Sequence, residues 1–397
     1  MHMGDVTSIE SSGGGDGPLS GIVVADFSRV VTGPLCSRLL ADQGATVVKI
    51  EPAEGDMTRP ADPVVDGHGT YFAHLNAGKQ GIVLDLKDPD HLADAHELVA
   101  RADVLLENFR PGVMARWGLG ADALLERHPR LVYCSISGYG QDGPWADRRC
   151  FAPVVHGESG MLATSSRLSG RSITPEPHSH ADVQAGMLAM GAISAALFDR
   201  ERTGRGTHLD VSLIEASLYA NEFAAPELAG QSGDTHYGGS SCLVVRTADG
   251  TYVTTQGNPA SHFRKWVVAM GREDLLDDPR FKHHAVRLEH RDEIDRLVLD
   301  WVAQVPDYPT LERLLSPTTL ATGVVRTISE LAETDWARER NVFAEPHPGV
   351  RVPAVPYRSS ARPVGVAGPP PRHGEHTEQV RRSLRSGNAR TDDDGAR

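Results

Sequence analysis

The residues best suited to do chemistry stand close together in the sequence, as His178-x-His180-x-Asp182. Two imidazoles and a carboxylate are donor types found in metal sites and in acid–base pairs. The apolar run that follows, residues 183–198, is rich in small residues and predicts a buried helix. Asp182 then falls at the helix start, where unpaired N–H groups and the helix dipole favour an ionised carboxylate. Taken locally, the pattern predicts an N-cap.

Two catalytic alternatives fit the motifs poorly. The hydrolase form of H-x-H-x-D continues with a further histidine, but residue 183 is Val and no third cluster lies nearby. We therefore expect no metal ion. A serine hydrolase needs the spacing G-x-S-x-G, which neither SISGYG (135–140) nor GESG (157–160) provides.

Composition excludes several classes of partner. The 397 residues carry a net charge of −13, which argues against nucleic acid or an anionic membrane surface as the main partner. No apolar run is expected to reach the roughly 20 residues that span a bilayer. The four cysteines are scattered, without a C-x-x-C pair, which favours a reduced, cytoplasmic protein.

Strand and helix patterns alternate through the first 140 residues. Apolar runs at 21–27, 46–51, 81–86, 103–109 and 130–140 predict buried strands separated by helices. This order predicts an α/β protein with an open, doubly wound, Rossmann-like sheet in its large domain. The first turn has only Gly33 where a dinucleotide fingerprint needs G-x-G-x-x-G, so an NAD site is not expected.

The composition changes along the chain and predicts five segments. The hairpin pattern around Asp249-Gly250 and the helices after it indicate a second, smaller α+β domain. The segments are a disordered leader (1–17), a large domain (18–223), a small domain (224–335), a return to the large domain (336–384) and a disordered tail (385–397). Residues 141–177 are predicted to be an irregular functional loop.

Polar and basic residues cluster near the ends of the predicted strands. Asn108-Phe109 and Ser137-Gly138 follow two of them, the place where ligands bind in open α/β sheets. Basic residues nearby indicate a phosphate-binding site, which a binding module without catalysis would also show.

Five segments in order resemble the class III CoA-transferase family, which includes CaiB/BaiF-type enzymes, formyl-CoA transferase and the related α-methylacyl-CoA racemases. The likeness is strong over residues 18–215 and weaker beyond. The segments are GIVVADFSRVVTGPLCSRLLADQGATVVKIEPAEGDMTR (21–59), LNAGKQGIVLDLKDP (75–89), ADVLLENFRPGVMARWGLG (102–120), PRLVYCSISGYGQDGP (129–144) and TGRGTHLDVSL (203–213).

The resemblance implies a reaction and a catalyst. Asp182 matches the catalytic aspartate, whose carboxylate attacks an acyl-CoA thioester and carries the CoA to a carboxylic acid acceptor. It further implies an interlocked homodimer, and Gly238 and Gly239 are candidates for a glycine loop that binds oxyanions. The residues that match CoA-binding positions are Val30, Val31, Thr32, Leu75, Asn76, Ala77, Gly78, Lys79, Asn108, Phe109, Arg110, Arg116 and Arg149.

One departure from the family bears on the chemistry. The racemase branch has a histidine where this chain has Cys150-Phe151-Ala152, and none of these side chains is a general base of that kind. This argues against racemisation unless the nearby His156 takes the place of that histidine. Two alternatives to a CoA-transferase stay open: an acyl-CoA racemase or epimerase on the same scaffold, and a CoA-binding protein without catalysis.

Overall fold

The computed structural model describes residues 16–230 and 242–388, and within them the chain folds into two compact units. The first comprises residues 16–162, 175–222 and 335–388, and the second comprises 163–174, 223–230 and 242–334. The second unit thus ends one residue before the predicted boundary and gains the short segment 163–174. The predicted leader lies outside the described residues except for Asp16 and Gly17.

The strands are short and most belong to the first unit. They are β1 (Val23–Asp26), β2 (Thr46–Glu51), β3 (Val64–Val65), β4 (His68–Gly69), β5 (Gln80–Val83), β6 (Val104–Glu107), β7 (Val132–Ser137), β8 (His208–Ser212), β9 (Val244–Arg246), β10 (Tyr252–Thr255), β11 (Thr322–Val324), β12 (Phe343–His347) and β13 (Val350–Pro353).

The helices connect these strands and cover the sheets. They are α1 (Thr32–Asp42), α2 (Thr70–Asn76), α3 (Pro89–Arg101), α4 (Ala121–Arg127), α5 (Ala152–Glu158), α6 (Met161–Ser169), α7 (His180–Thr203), α8 (Leu213–Tyr219), α9 (Ala224–Leu228), α10 (Phe263–Ala269), α11 (His284–Glu289), α12 (Arg291–Val302), α13 (Tyr308–Leu315), α14 (Ile328–Ala332), α15 (Asp335–Arg340) and α16 (Thr377–Asn388). Short 3₁₀ turns lie at Met114–Trp117, Glu273–Leu276 and Ser316–Thr318.

A six-stranded parallel sheet forms the centre of the first unit, in the order β5-β2-β1-β6-β7-β8. From β1 the chain moves outward through β2 and β5, then returns to β6 on the other side of β1. The strand order therefore reverses between β1 and β6. The loops after these two strands diverge there and leave a crevice at the carboxyl edge of the sheet, the usual ligand position in such folds.

Small residues let helix α7 approach α1 closely. A Cβ at Gly186 would lie 2.6 Å from the carbonyl oxygen of Thr32, so no larger residue fits without moving the backbone. Ala185 and Ala189, on the same helix, are fully buried in the core on that face of the sheet. The small-residue pattern therefore fixes the contact that brings the first turn of α1 beside the first turn of α7.

The edge strand β5 is covered by the C-terminal segment. Gly78 donates its backbone N–H to the Pro369 oxygen (3.0 Å), and His376 donates its own to the Gly81 oxygen (2.9 Å). The Val83 N–H binds the Thr377 hydroxyl at 3.0 Å. Helix α16 then adds Val380 and Leu384 to the core on the second face. This helix extends to Asn388, so the predicted start of a disordered tail at residue 385 is too early.

The second unit has its own core under a three-stranded antiparallel sheet, β11-β10-β9. The predicted hairpin is present, since β9 and β10 pair in antiparallel register across the turn at Asp249-Gly250. Trp266 and Val298 are fully buried beneath it.

Two expectations about segments need correction. Residues 141–177 contain helices α5 and α6, whose short apolar repeats were too weak to predict. The sequence pattern predicts no apolar segment long enough to span a bilayer. Judged by length and composition alone, however, helix α7 is long and apolar enough to cross a membrane. Its buried residues pack in the core of the first unit, as those of a globular core helix do.

Candidate active site

A cleft of about 570 Å³ opens at the crevice between the loops after β1 and β6. Its lining brings together parts of the chain far apart in sequence. The residues that line it are Arg29, Val30, Val31, Thr32, Met57, Asn108, Phe109, Arg110, Pro111, Val113, Arg116, Ile136, Ser137, Gly138, Ala146, Arg148, Arg149, Cys150, Phe151, Asp182 and Leu213. Both predicted strand ends, Asn108-Phe109 and Ser137-Gly138, therefore lie in the cleft.

Asp182 projects into the cleft from the first turn of α7. It is not the cap, because the N-cap position is Ser179 and its side chain makes no capping bond. The Asp182 carboxylate instead accepts a 2.5 Å hydrogen bond from the Thr32 hydroxyl. Burial raises the pKa of Asp182 above its usual range, while Thr32 and the nearby His156 oppose that rise. The carboxylate is thus held by one donor and partly shielded from water.

The loop before Thr32 is anchored by buried charges. Val30 has a φ of +69°, a strained left-handed conformation for a β-branched residue, and its N–H binds the Asp56 carboxylate at 3.2 Å. Asp56 is itself paired with the fully buried Lys49 at 3.1 Å. This contact holds Val30 in its unusual conformation and directs Thr32 into the first turn of α1.

Asn108 connects the two loops that border the crevice. Its side-chain oxygen accepts the Arg29 N–H, and its amide donates to the Arg29 carbonyl, both at 2.8 Å. The Arg29 guanidinium lies 5.3 Å from the centre of the Phe109 ring. The loops after β1 and β6 are therefore joined at the base of the cleft.

Five arginines line the cleft of this acidic protein, and Asp182 is the one carboxylate among the described residues that line it. Arg148 is paired with Glu158 and stacks on Tyr139 and Trp145. The others are Arg29, Arg110, Arg116 and Arg149, all exposed. Guanidinium groups grip phosphate and carboxylate oxygens in bidentate fashion, so the cleft suits a polyanion.

The predicted contacts Leu75, Asn76, Ala77, Gly78 and Lys79 do not line this cleft. The Lys79 ammonium is fully buried, 3.2 Å from the Asp26 carboxylate and 2.9 Å from the Pro34 carbonyl. The Asn76 side chain is also buried and accepts from Lys79 at 2.8 Å. In this structure Lys79 cannot contact a phosphate, because its charge is neutralised inside the core.

A second, smaller pocket of about 220 Å³ adjoins the cleft and shares Arg29 and Phe109 with it. Apolar side chains line much of it, including Ile50, Leu86 and Trp117. A ligand that fills both spaces would place an apolar part near Trp117, in a pocket that also carries Glu51, Glu54, Asp85 and Lys87.

The cleft also holds residues to which the motifs assigned no part in CoA binding. Arg29, Arg148 and Phe151 line it, and Phe151 is 64% exposed. His156 is 1% exposed, and its Nε2 accepts the backbone N–H of Ala181 at 3.2 Å, next to Asp182. From the sequence, His156 is expected only as a substitute for the missing histidine of the racemase branch, and its contact beside Asp182 could not be predicted from local pattern. Gly238 and Gly239 lie outside the described residues.

The chain is similar to several known proteins over almost its whole length. A sequence model described as "CoA-transferase family III" matches residues 19–377. The succinyl-CoA–L-malate CoA-transferase beta subunit of Chloroflexus aurantiacus is 30% identical over 380 residues, 92% of this chain and 94% of that one. The succinate–glutarate CoA-transferase of Agrobacterium fabrum is 33% identical over 385 residues, covering 91% and 94%. A crystal structure of a CaiB/BaiF family protein from Brucella suis superposes with a TM-score of 0.81 at 29% identity, covering 93% of this chain and all of that one.

Proposed function

Because the chain belongs to CoA-transferase family III, we propose that it transfers CoA from an acyl-CoA donor to a carboxylic acid through covalent intermediates on Asp182. Enzymes of this family use CoA thioesters as substrates, and this chain is such an enzyme. The observation that carries the proposal is the position of Asp182, a carboxylate held by Thr32 among the five arginines of the cleft.

The chemistry requires an ionised carboxylate and a leaving thiolate. An Asp182 oxygen attacks the thioester carbonyl and the C–S bond breaks, giving an acyl-aspartyl anhydride and CoA thiolate. The thiolate then attacks the aspartyl carbonyl, which releases the donor acid and leaves CoA on Asp182. The acceptor carboxylate attacks this aspartyl-CoA thioester, which forms a second anhydride and frees the CoA thiolate. The thiolate then attacks the acceptor's carbonyl of that anhydride, which gives the new acyl-CoA and restores the Asp182 carboxylate. Each step exchanges one acyl bond for another, so no oxidant or metal is needed.

The lining of the cleft supports CoA as the ligand in this proposal. Phosphate groups would bind the exposed guanidinium groups, because Arg110, Arg116 and Arg149 have no ion-pair partner among the described residues. The pocket lined by Ile50, Leu86 and Trp117 suits the flat adenine ring. The thioester would lie beside Val31 and Thr32, next to Asp182.

A panel assay tests the proposed activity. Several relatives carry the names of succinyl-CoA, malate, glutarate and oxalate transferases, so we propose a dicarboxylic acid as acceptor. Succinyl-CoA would be incubated with each acid and new thioesters followed by chromatography. CoA binding without transfer to any acid would leave the chain a binding protein and contradict the proposal.

Replacing Arg149 with Gln is expected to raise the KM for acyl-CoA by about 10-fold to 100-fold with kcat nearly unchanged, since one charge-assisted contact is worth about 1.5–3 kcal/mol. Steady-state kinetics measure both constants. Arg171→Gln is the matched control, because Arg171 is also exposed but does not line the cleft. A fall in kcat with constant KM would argue against phosphate binding.

Replacing Thr32 with Val removes the hydroxyl that donates to Asp182. Since that hydrogen bond opposes the pKa rise caused by burial, its loss raises the pKa of Asp182 further. The nucleophile must be ionised, so kcat/KM falls as pH drops through this pKa, and the acid limb moves to higher pH in the variant. Near neutral pH we expect a loss of about tenfold. Thr32→Ser should retain the wild-type profile, and an unshifted limb in Thr32→Val would contradict the assignment.

An epimerase on the same scaffold is favoured less by the geometry. His156, the substitute for a second base, already uses Nε2 to accept from Ala181, and burial raises the pKa of the Cys150 thiol to about 11. Deuterium exchange at C2 of a 2-methylacyl-CoA would reveal epimerase activity.

We also propose that the chain acts as a cytoplasmic homodimer of the interlocked type. Exposed apolar side chains on α7 and α8 support an interface, including Met187, Leu188, Phe198 and Tyr219. Light scattering on the purified protein measures the mass directly, and a monomer would contradict the proposal.

A further inference from the structure

The structure regroups the histidines that precede Asp182. The sequence placed His178 and His180 with Asp182, but the Asp182 carboxylate turns to Thr32. Glu176 takes its place: one ligand atom each from Glu176, His178 and His180 lies within 4.8 Å of the others. The three neighbouring side chains therefore follow the sequence pattern Glu-x-His-x-His, residues 176–180.

We propose that Glu176, His178 and His180 form a binding site for a borderline divalent transition-metal ion, with Zn²⁺ the preferred occupant. The site lies where the segment before α7 meets the first residue of that helix. It is separate from the transfer reaction proposed above and does not depend on it.

The distances fit a tetrahedral ion after small side-chain adjustments. Glu176 Oε1 lies 2.7 Å from His178 Nδ1 and 3.7 Å from His180 Nε2. Donor atoms around a tetrahedral Zn²⁺ lie about 3.3 Å apart, since each is about 2.0–2.1 Å from the metal. The two spacings from Glu176 fall on either side of that value, and the two histidine donor atoms lie within 4.8 Å of each other.

The chemistry of the donors selects the ion. Two imidazoles and one carboxylate suit Zn²⁺, Ni²⁺ or Cu²⁺ and disfavour Mg²⁺ and Ca²⁺, which prefer oxygen ligands. Among the ion pairs of the described residues, Glu176 pairs with these two histidines alone, so no Arg or Lys competes for it.

The backbone already orders the ligands. The His178 N–H binds Glu176 Oε1 at 2.9 Å, and the His180 N–H binds the His178 carbonyl at 2.9 Å. These bonds hold the three residues in a tight turn before they meet an ion. Because all three side chains are at least partly exposed, an ion can enter from solvent and keep water as a fourth ligand.

Titration of the untagged, chelator-treated full chain with Zn²⁺ tests the site by calorimetry. We expect one equivalent to bind per chain, and Glu176→Gln and His180→Ala each to weaken binding by at least about tenfold. Co²⁺ should give a d–d absorption spectrum that both variants lose. The thermal midpoint should rise with Zn²⁺ in the wild-type chain and not in the variants.

Two controls decide between interpretations of the motif. Asp182→Asn should retain Zn²⁺ binding, because that carboxylate lies outside the site, and so should His283→Ala, an exposed histidine elsewhere. Loss of binding in Asp182→Asn with retention in Glu176→Gln would overturn the proposal in favour of His-x-His-x-Asp. Absence of stoichiometric binding to the wild-type chain, or equal binding by all variants, would show an ordinary surface hydrogen-bonded cluster and also overturn it.

Discussion

Asp182→Asn is expected to lower kcat for CoA transfer by at least about 10³-fold, because an amide cannot attack the thioester. Asn has nearly the same shape and can still accept the Thr32 hydrogen bond, so the cleft should keep its geometry. Acyl-CoA binding, measured by calorimetry, should change little. The loss would therefore appear in kcat and not in affinity.

The matched control is Asp199→Asn, the same change on an exposed residue near the other end of α7. It should retain wild-type turnover. Chemical trapping gives an independent test: hydroxylamine should convert an acylated Asp182 to a hydroxamate, and borohydride should reduce an aspartyl-CoA thioester to an alcohol. Wild-type turnover in Asp182→Asn, or trapping at another carboxylate, would contradict the nucleophile assignment.

Lys79→Met is expected to lower the free energy of unfolding by about 3–5 kcal/mol, since it leaves a buried carboxylate without its partner. Lys79 and Asp26 are fully buried. Burial lowers the pKa of Lys79 to about 8, and the Asp26 carboxylate counteracts that fall. Burial alone would raise the pKa of Asp26, yet Lys79 and Lys49 hold it below its usual range. The pair is therefore a charged unit within the core.

Urea denaturation followed by circular dichroism measures this loss. Lys282→Met, on an exposed lysine, should change stability by no more than about 0.5 kcal/mol. Adding Asp26→Asn to Lys79→Met should recover part of the stability, because the unpaired charge is removed. If Lys79→Met instead raised the KM for acyl-CoA and left stability unchanged, Lys79 would be a phosphate contact, as its motif implied.

The predictable part of the fold follows from local pattern. The apolar runs that became β1, β2, β5, β6 and β7 could be located because buried parallel strands are nearly continuous in apolar residues. The hairpin of β9 and β10 has a strong turn signal in Asp-Gly. Helices α5 and α6 could not be found, because they are short and Gly, Ser and Pro surround them.

The predictable part of the site is limited by side-chain direction. Motif resemblance located Asn108, Arg110 and Arg149 in the cleft but could not show that Lys79 turns inward to Asp26. Asp182 was placed correctly near a helix start, yet its partner Thr32 lies 150 residues away and no local pattern shows that bond. For the same reason, local pattern could not show that Glu176, rather than Asp182, lies beside His178 and His180.

The cover over β5 has a consequence for synthesis on the ribosome. Strand β5 emerges long before residues 369–377, whose backbone and side-chain groups bind its outer edge. Until residues 369–377 have left the exit tunnel, the nascent sheet exposes a row of unpaired N–H and C=O groups. Such an edge is a template for pairing with another chain. A nascent chain is therefore exposed to aggregation at this edge until residues 369–377 have been made and have folded back, and a truncated chain without them would keep the edge open permanently.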